Sequence, residues 1–333
     1  MTYSVAVFAY DGCFISGIAG PLDVYNIANT HHRVLEGDDA SPLFSWKLYS
    51  QDGKPVKTST GLLMPVDGHI NDLHKSDICV IPGMDHVYGN EVVEYARRLN
   101  KNIGGWLRRL HSENTTLAAN CSGAFILAEA GLLNKKEATT SWWLAHHFKN
   151  NYPLVKLKLN KMVTEDDNVF CSGAVTAYLH QAISIIEKFT GQEIANRCAK
   201  TLLLHTRDAS QAPYIPLSTR IDKMDSVVHQ AIVWMTDNLN KDTNLDELAS
   251  HLAVSPRTFI RRFNQSTGKP PKKYLQQLRI NEAKRLLENS DLSIDDITNR
   301  VGYTDVSSFR RLFKREVDLS PTEYRKHFSS MEY

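Results

Sequence analysis

The last third of the chain carries the same pattern twice. "NLDELASHLAVSPRTFIRRF" (244–263) lies over "SIDDITNRVGYTDVSSFRRLF" (293–313), with one extra residue in the second turn. Leu248 matches Ile297, Leu252 matches Val301, Phe259 matches Phe309 and Phe263 matches Phe313. A duplication of this kind constrains the fold strongly, because each copy must be one supersecondary unit. In each, apolar residues at helical spacing are followed by a short turn of small or polar residues and then a second helix, which predicts a helix-turn-helix. The paired phenylalanines stand four residues apart, so each pair shares one buried face.

The opposite face carries Arg257, Arg261 and Arg262 in the first copy, and Ser307, Arg310, Arg311 and Lys314 in the second. Between the copies, "YLQQLRINEAKRLLENS" (274–290) reads as a long amphipathic helix that fixes their separation. Residues 257–285 hold nine Lys or Arg (257, 261, 262, 269, 272, 273, 279, 284, 285) against one acid, Glu282. A charge run is most often a solvated helix face. Basic residues on the second helix of both copies fit DNA better, since arginine both neutralises phosphate and reads guanine edges. The whole-chain charge of +2 hides this concentration.

The preceding two thirds read differently. Strand-like runs at 4–10, 44–50, 77–83 and 115–121 alternate with helical patterns at 21–31, 91–112, 122–131, 175–191 and 193–207, and 155–173 reads as a hairpin. Such alternation predicts an α/β domain built on a parallel sheet of flavodoxin-like type, covered on both faces. Ligands in such sheets sit at the carboxyl ends of the strands. Cys13, Gly83 and Cys121 all fall just past such ends. At 333 residues two domains are expected, with boundaries at 1–208 and 223–333 around a linker at 209–222 that holds two prolines and no clear period.

The cysteines, five in all, are scattered without CxxC or Cys/His ligand spacing, so neither a disulfide framework nor a metal site is expected. The opening "MTYSVAVFAYDGCFISGIAG" reads as a first strand and not as a signal peptide, and no window approaches a membrane span. A soluble cytoplasmic protein without a bound cofactor is expected.

"AANCSGAFILAEAG" (118–131) places Cys121 at a tight strand-to-helix turn, similar to a nucleophile elbow with cysteine for serine. With "GPLDVY" (20–25), "VIPGM" (80–84), the continuation "LLNKKEATTSWW" to 143 and "RDASQAPY" (207–214), residues 3–214 resemble the PfpI-like, class I glutamine amidotransferase-like domain, in the version found in GlxA-type transcription regulators. The C-terminal third resembles the AraC-type DNA-binding domain through "SPRTFIRRF", "GKPPKKYLQQLRINEAKRLL", "VGYTDVSSFRRLFKRE" and "SPTEYRKHF". Asp318 stands there in place of a usual glycine, at a helix-end turn that aspartate tolerates.

The resemblance implies a ligand-responsive transcription regulator. Its base-reading positions would be Arg257, Ile260 and Arg261 in the first unit and Val306, Ser307, Arg310 and Arg311 in the second. Ile260 and Val306 would meet thymine methyls, and Lys272 and Lys273, in the loop before the long helix, would touch phosphates. An effector pocket would involve Gly17, Gly83, Met84, Cys121, Ser122, Ser141 and Trp142. Partners would be double-stranded DNA, a small effector such as an amine, amino acid or quaternary ammonium compound, RNA polymerase and a second copy of the chain.

Enzymatic members of the superfamily carry an acidic residue where Gly17 stands, and a histidine where Ser141 stands. A cysteine nucleophile needs such a partner to set its proton. His146, His147 and His180 are the other candidates for one. A non-catalytic pocket residue is therefore expected at Cys121. A cysteine hydrolase or hydratase fused to a DNA-binding domain, a Cys121 redox sensor, and a simply packed cysteine are the alternatives. Tyr10, Phe14, Trp142 and Trp143 could together cage a cation.

Overall fold

The computed structural model describes residues 2–205, 210–215, 225–241 and 243–329. The chain divides into two units, Met1–Gln211 and Ala212–Tyr333. Of the expected linker, 216–222 and residue 209 lie outside the described residues.

The first unit opens with β1 (Tyr3–Phe8) and α1 (Ser16–Glu36), followed by β2 (Phe44–Ser50) and three short strands, β3 (Val56–Lys57), β4 (Leu63–Met64) and β5 (Gly68–His69). Then come β6 (Ile78–Ile81), α2 (Gly89–Ser112), β7 (Thr116–Asn120) and α3 (Gly123–Glu129). The unit continues with β8 (Glu137–Ala138), α4 (Ala145–Asn151), β9 (Lys156–Leu157), β10 (Val163–Asp166), β11 (Val169–Ser172), α5 (Tyr178–Thr190) and α6 (Gln192–Thr201).

A seven-stranded sheet runs in the order β10-β11-β7-β6-β1-β2-β5, parallel throughout except for β10 at one edge. Its central strands are buried along their whole length in β6, β7 and β11. That is what a parallel sheet with helices on both faces requires, and it explains why these strands read as unbroken apolar runs and not as alternation.

The predicted hairpin at 155–173 is shorter, spanning β10 and β11 only, with Asp167 and Asn168 at φ 49° and 58° in the connecting turn. Two consecutive positive φ values at Asp-Asn are the signature of a two-residue hairpin turn. Residues 156–157 belong instead to a separate parallel pair with β8. The helix expected at 21–31 extends from Ser16 to Glu36 with Pro21 inside it, so Pro21 does not mark its start.

Among the described residues the second unit is helical: α7 (Ser226–Asp237), α8 (Leu245–His251), α9 (Pro256–Thr267), α10 (Pro271–Asn289), α11 (Ile294–Arg300), α12 (Val306–Val317) and α13 (Pro321–Phe328). It holds two apolar clusters, one per helix-turn-helix. The first gathers Val228, Met235, Leu248, Phe259, Phe263 and Tyr274. The second gathers Leu287, Ile297, Val301, Phe309, Phe313 and Tyr324. The long helix α10 supplies residues to both, Leu275 and Leu278 to one and Ala283 and Leu287 to the other. Before α7, residues 212–215 belong to this unit. Tyr214 packs edge-on against Phe328, and Lys284 Nζ donates to the Ile215 carbonyl at 3.0 Å.

The duplication extends to backbone conformation. The residue after the C-cap is left-handed in both first helices, Ala253 at φ 56° and Gly302 at φ 81°. The second helices end likewise on Gly268 at φ 69° and Asp318 at φ 63°. A left-handed residue bearing a Cβ costs about 1–2 kcal/mol. Ala253→Gly is therefore expected to raise the stability of the second unit by about 1 kcal/mol in urea unfolding, whereas Gly302→Ala should lower it. Equal midpoints for Ala253→Gly and wild type would contradict the strain assigned to Ala253.

Candidate effector pocket and nucleic-acid interface

β7 delivers Cys121 to the carboxyl edge of the sheet, and α3 begins two residues later. Cys121 is left-handed at φ 55°. Its backbone is held from both sides: its N–H donates to the Ser172 carbonyl at 3.0 Å, and its carbonyl accepts from Thr140 Oγ1 at 2.8 Å. Such a strained conformation costs of order 1–3 kcal/mol and persists only where its surroundings impose it. The turn closes because position 123 is glycine, where a Cβ would stand 2.6 Å from the Ile81 carbonyl oxygen and 2.7 Å from that of Pro82.

Six of the seven sequence-predicted pocket residues come together here. Cys121 Sγ lies 2.7 Å from Ser141 Oγ. Ser122 Oγ accepts from Met84 N–H at 2.8 Å and donates to the Met84 carbonyl at 3.1 Å. A Cβ on Gly83 would stand 3.0 Å from that of Cys121, and one on Gly17 2.9 Å from that of Pro82. Cys121, Ser122 and Ser141 are wholly buried and Met84 nearly so.

Trp142 is half-buried at the border of this cluster, its ring edge-on to Trp143 at 5.1 Å. The Trp143 indole N–H donates to His86 Nε2 at 3.1 Å. That bond leaves the imidazole proton on Nδ1, which faces the Met84 carbonyl at 3.0 Å. The four-ring cage does not form as drawn. Tyr10 is buried against Phe8 and Tyr95 with its hydroxyl on the Pro82 carbonyl, while the two tryptophans contact each other.

The electrostatics are those of a resting thiol. Burial pushes the Cys121 thiol above the ordinary cysteine value, and the hydrogen bonds from Ser141 and Ser122 offset this only in part. A serine hydroxyl cannot take the thiol proton as a base at neutral pH, and glycine at position 17 leaves no carboxyl there. His146 is held by Asn150, His180 faces the His205 carbonyl, and the His147 ring packs where a Cβ on Gly89 would go. At pH 7 Cys121 is expected to alkylate with iodoacetamide more slowly than a free cysteine of pKa about 8.5. Peptide mapping of alkylated protein checks this, and alkylation faster than glutathione would contradict it.

Sequence reasoning missed the residues that surround the elbow: Thr139, Thr140, Ser172, His86 and Gln211. Thr139 and Thr140 lie inside the quoted "ATTSWW", and Gln211 inside "RDASQAPY". Their identity as hydrogen-bonding groups was readable there, but their convergence needed the fold.

In the second unit, α9 and α12 are the second helices of the two motifs. Ser255 caps the N-terminus of α9 through Thr258 N–H, and Asp305 caps α12 through the N–H groups of Ser307 and Ser308. Arg257, Ile260 and Arg261 are exposed on α9, as are Ser307, Arg310, Arg311 and Lys314 on α12, with Val306 half-buried. Ile260, at 41% exposure, is a large apolar side chain left in solvent between two arginines. Arg261 reaches Gln265 Oε1 at 3.4 Å and Arg311 reaches Ser308 Oγ at 3.1 Å, contacts that pre-orient both guanidinium forks along the helix surface.

Arg262 is not with them. It makes a two-pronged ion pair with Asp225 at 2.7 and 2.8 Å, fastening α9 to the N-cap of α7. Burial pushes the Asp225 carboxyl up, but Arg262 and the backbone donors of α7 outweigh it and hold it below the usual carboxylate range. The physical reason is in the repeat, where Arg262 aligns with the buried Leu312. The dense basic run splits in the same way. Arg279 donates to the carbonyls of Leu239 and Lys241, Lys269 to Gln277, and Lys284 is buried against Tyr324. Burial lowers the Lys284 ammonium to about 8. Lys272 and Lys273 are exposed, but in the first turn of α10 and not in a loop, because the helix already starts at Pro271.

The family model for the DJ-1/PfpI family matches residues 4–188, and one for a helix-turn-helix domain matches 248–327. The chain therefore belongs to the DJ-1/PfpI family, here carrying an AraC-type helix-turn-helix domain. It is similar to the HTH-type transcriptional regulator CdhR of Pseudomonas aeruginosa, with 25% identity over 94% of this chain and 89% of that protein. It is also similar to GbdR of the same species, with 22% identity over 97% of this chain and 84% of that one. Among solved structures, a putative transcriptional regulator from Vibrio parahaemolyticus superimposes with a TM-score of 0.50 at 22% identity, covering 61% of this chain and all of that one. Drosophila melanogaster DJ-1beta gives the same score and identity, over 62% of this chain and all of its own. These two likenesses show the fold of the first unit. No helix among the described residues is long and apolar enough to cross a membrane.

Proposed function

We propose that this protein is a ligand-responsive transcription regulator. Its first unit senses a small molecule at the Cys121 elbow, and its second binds double-stranded DNA through α9 and α12. The observation that carries the reading is the doubled helix-turn-helix, in which each copy has its own apolar cluster and turns Arg261 or Arg311 outward from it. Two such helices on one rigid connector suit two successive major-groove segments roughly 34 Å apart.

The effector pocket is uncharged at its core, which fits recognition by hydroxyls, sulfur and backbone groups. The first candidates are amines, amino acids and quaternary ammonium compounds. Assembly as a homodimer, contact with RNA polymerase and residence in the cytoplasm belong to the same reading. The raised thiol and the serine at position 141 favour sensing over catalysis at Cys121. Cys121→Ala should therefore leave folding and DNA binding intact and alter only the response to effector.

The DNA-reading assignment is tested by competition between operator and random duplex at two salt concentrations. Arg261→Ala and Arg311→Ala should each cost about 1–3 kcal/mol on the operator and relax preference at one base pair. Lys272→Ala and Lys273→Ala should weaken binding to both duplexes alike, lowering the salt slope by about one per charge. Equal losses on both duplexes for the two arginines would mean that they only position the protein.

A further inference from the structure

The motif "RDASQAPY" places one residue where the fold gives it an unusual environment. Gln211 is the last residue of the first unit and is 99% buried, with a relative exposure of 1%. Its Nε2 sits among four oxygens: Thr139 Oγ1 at 3.0 Å, the Lys161 carbonyl at 3.1 Å, and the Thr140 and Leu159 carbonyls at 3.2 Å. Its Oε1 accepts from Ala174 N–H at 3.0 Å, and its own N–H donates to the Asn160 carbonyl at 2.7 Å. The side chain fits because position 173 is glycine, since any Cβ there would overlap the Gln211 amide.

Two of these partners belong to the wall of the elbow. Thr140 holds the Cys121 carbonyl through its hydroxyl and Gln211 through its own carbonyl, and Ser141, which touches the thiol, is the next residue. Thr139–Thr140–Ser141 is therefore one short segment with the thiol on one side and Gln211 on the other. An amide has two protons to share among four acceptors. Small displacements of this segment therefore change which bonds the amide makes and how firmly it is held.

We propose that Gln211 is a positioning residue that reports the state of the Cys121 elbow to the chain leaving the sensor unit, by being held or released through Thr139 and Thr140. The proposal rests on the sensing function assigned above and names its exit route.

The test uses the full chain and needs no effector. In Gln211→Ala, Cys121 should alkylate with iodoacetamide about tenfold faster, the loss of about 1.4 kcal/mol of local holding. Buried Cys79 serves as an internal control for global unfolding and should be unchanged. In the reciprocal arm, Thr140→Val should accelerate hydrogen exchange at the Ala174 amide, which Gln211 caps. The reporting step is read by a double-mutant cycle with Ser141→Phe as a permanent steric perturbation of the buried elbow and a random-sequence duplex as the probe. Ser141→Phe should change duplex affinity several-fold in the otherwise wild-type chain, and by less than about twofold in the Gln211→Ala background. Unchanged Cys121 alkylation in Gln211→Ala together with unchanged exchange in Thr140→Val would overturn the proposal. So would equal effects of Ser141→Phe in both backgrounds, with the sensing function left standing. No effect of Ser141→Phe in either background would remove the sensing function and the proposal with it.

Discussion

Phe313→Ala is expected to destabilise the second unit by about 3–5 kcal/mol and to do so on one side only. Phe313 is fully buried in the cluster formed by α11, α12, α13 and the end of α10, against Phe309 and Tyr324. The cluster around Phe259 and Phe263 shares none of these residues. Removing the ring leaves a cavity whose lining loses both burial and contact. Hydrogen exchange should rise throughout α11–α13 while α7–α9 keep their protection, and Phe263→Ala should give the mirror image. A uniform rise across both halves would show that α10 welds the two clusters into one cooperative block.

The second large effect is expected at the elbow. Gly123→Ala puts a methyl group against two backbone carbonyl oxygens, at 2.6 and 2.7 Å, and neither belongs to a side chain that could swing away. Either β6 or the start of α3 must move, at a cost of about 1–3 kcal/mol of the kind seen on overpacking. Cys121 moves with it and its contact with Ser141 is lost. Gly105→Ala is the matched control. It lies on the exposed side of α2 with nothing within 4 Å of a new Cβ, so it should stabilise by about 0.5–1 kcal/mol through helix propensity alone. Thermal unfolding of the two variants should therefore shift in opposite directions. A neutral Gly123→Ala would mean the elbow is looser than its contacts imply.

The two units were legible in the sequence to different depths. In the second, the repeat fixed both motifs, both phenylalanine pairs and the exposure of Arg261 and Arg311. It also pointed to Arg262 as the odd residue, since its repeat partner is Leu312, but the charge of the run masked that comparison. Asp225, which captures Arg262, lies 37 residues earlier, and no local pattern announces such a pairing. Lys269, Arg279 and Lys284, counted in the basic run, show the same limit: a basic side chain shows its sign in the sequence but not whether an oxygen within the fold awaits it.

In the first unit, alternation gave the strand-helix order, and Gly17, Gly83, Met84, Cys121, Ser122 and Ser141, singled out around the elbow motif, lie near one another in the fold. What stayed hidden were short strands of two residues, too brief to show any period, and the partners of the elbow from distant segments. Gln211 is the sharpest case, because its role depends on an amide reaching backbone carbonyls 50 and 71 positions away.

The long helix α10 has one more consequence. Its 19 residues are anchored at one end in the first apolar cluster and at the other in the second. At 1.5 Å and 100° per residue, an insertion of a single residue would turn the second reading helix by about 100° away from the DNA. On the proposed reading of DNA through α9 and α12, the second unit thus acts as a rigid gauge. A binding site facing it is free to drift in its letters, one contact at a time, but a base pair gained or lost between its two halves breaks the match outright. Variation among the sites this regulator occupies should therefore be rich in substitutions and bare of insertions.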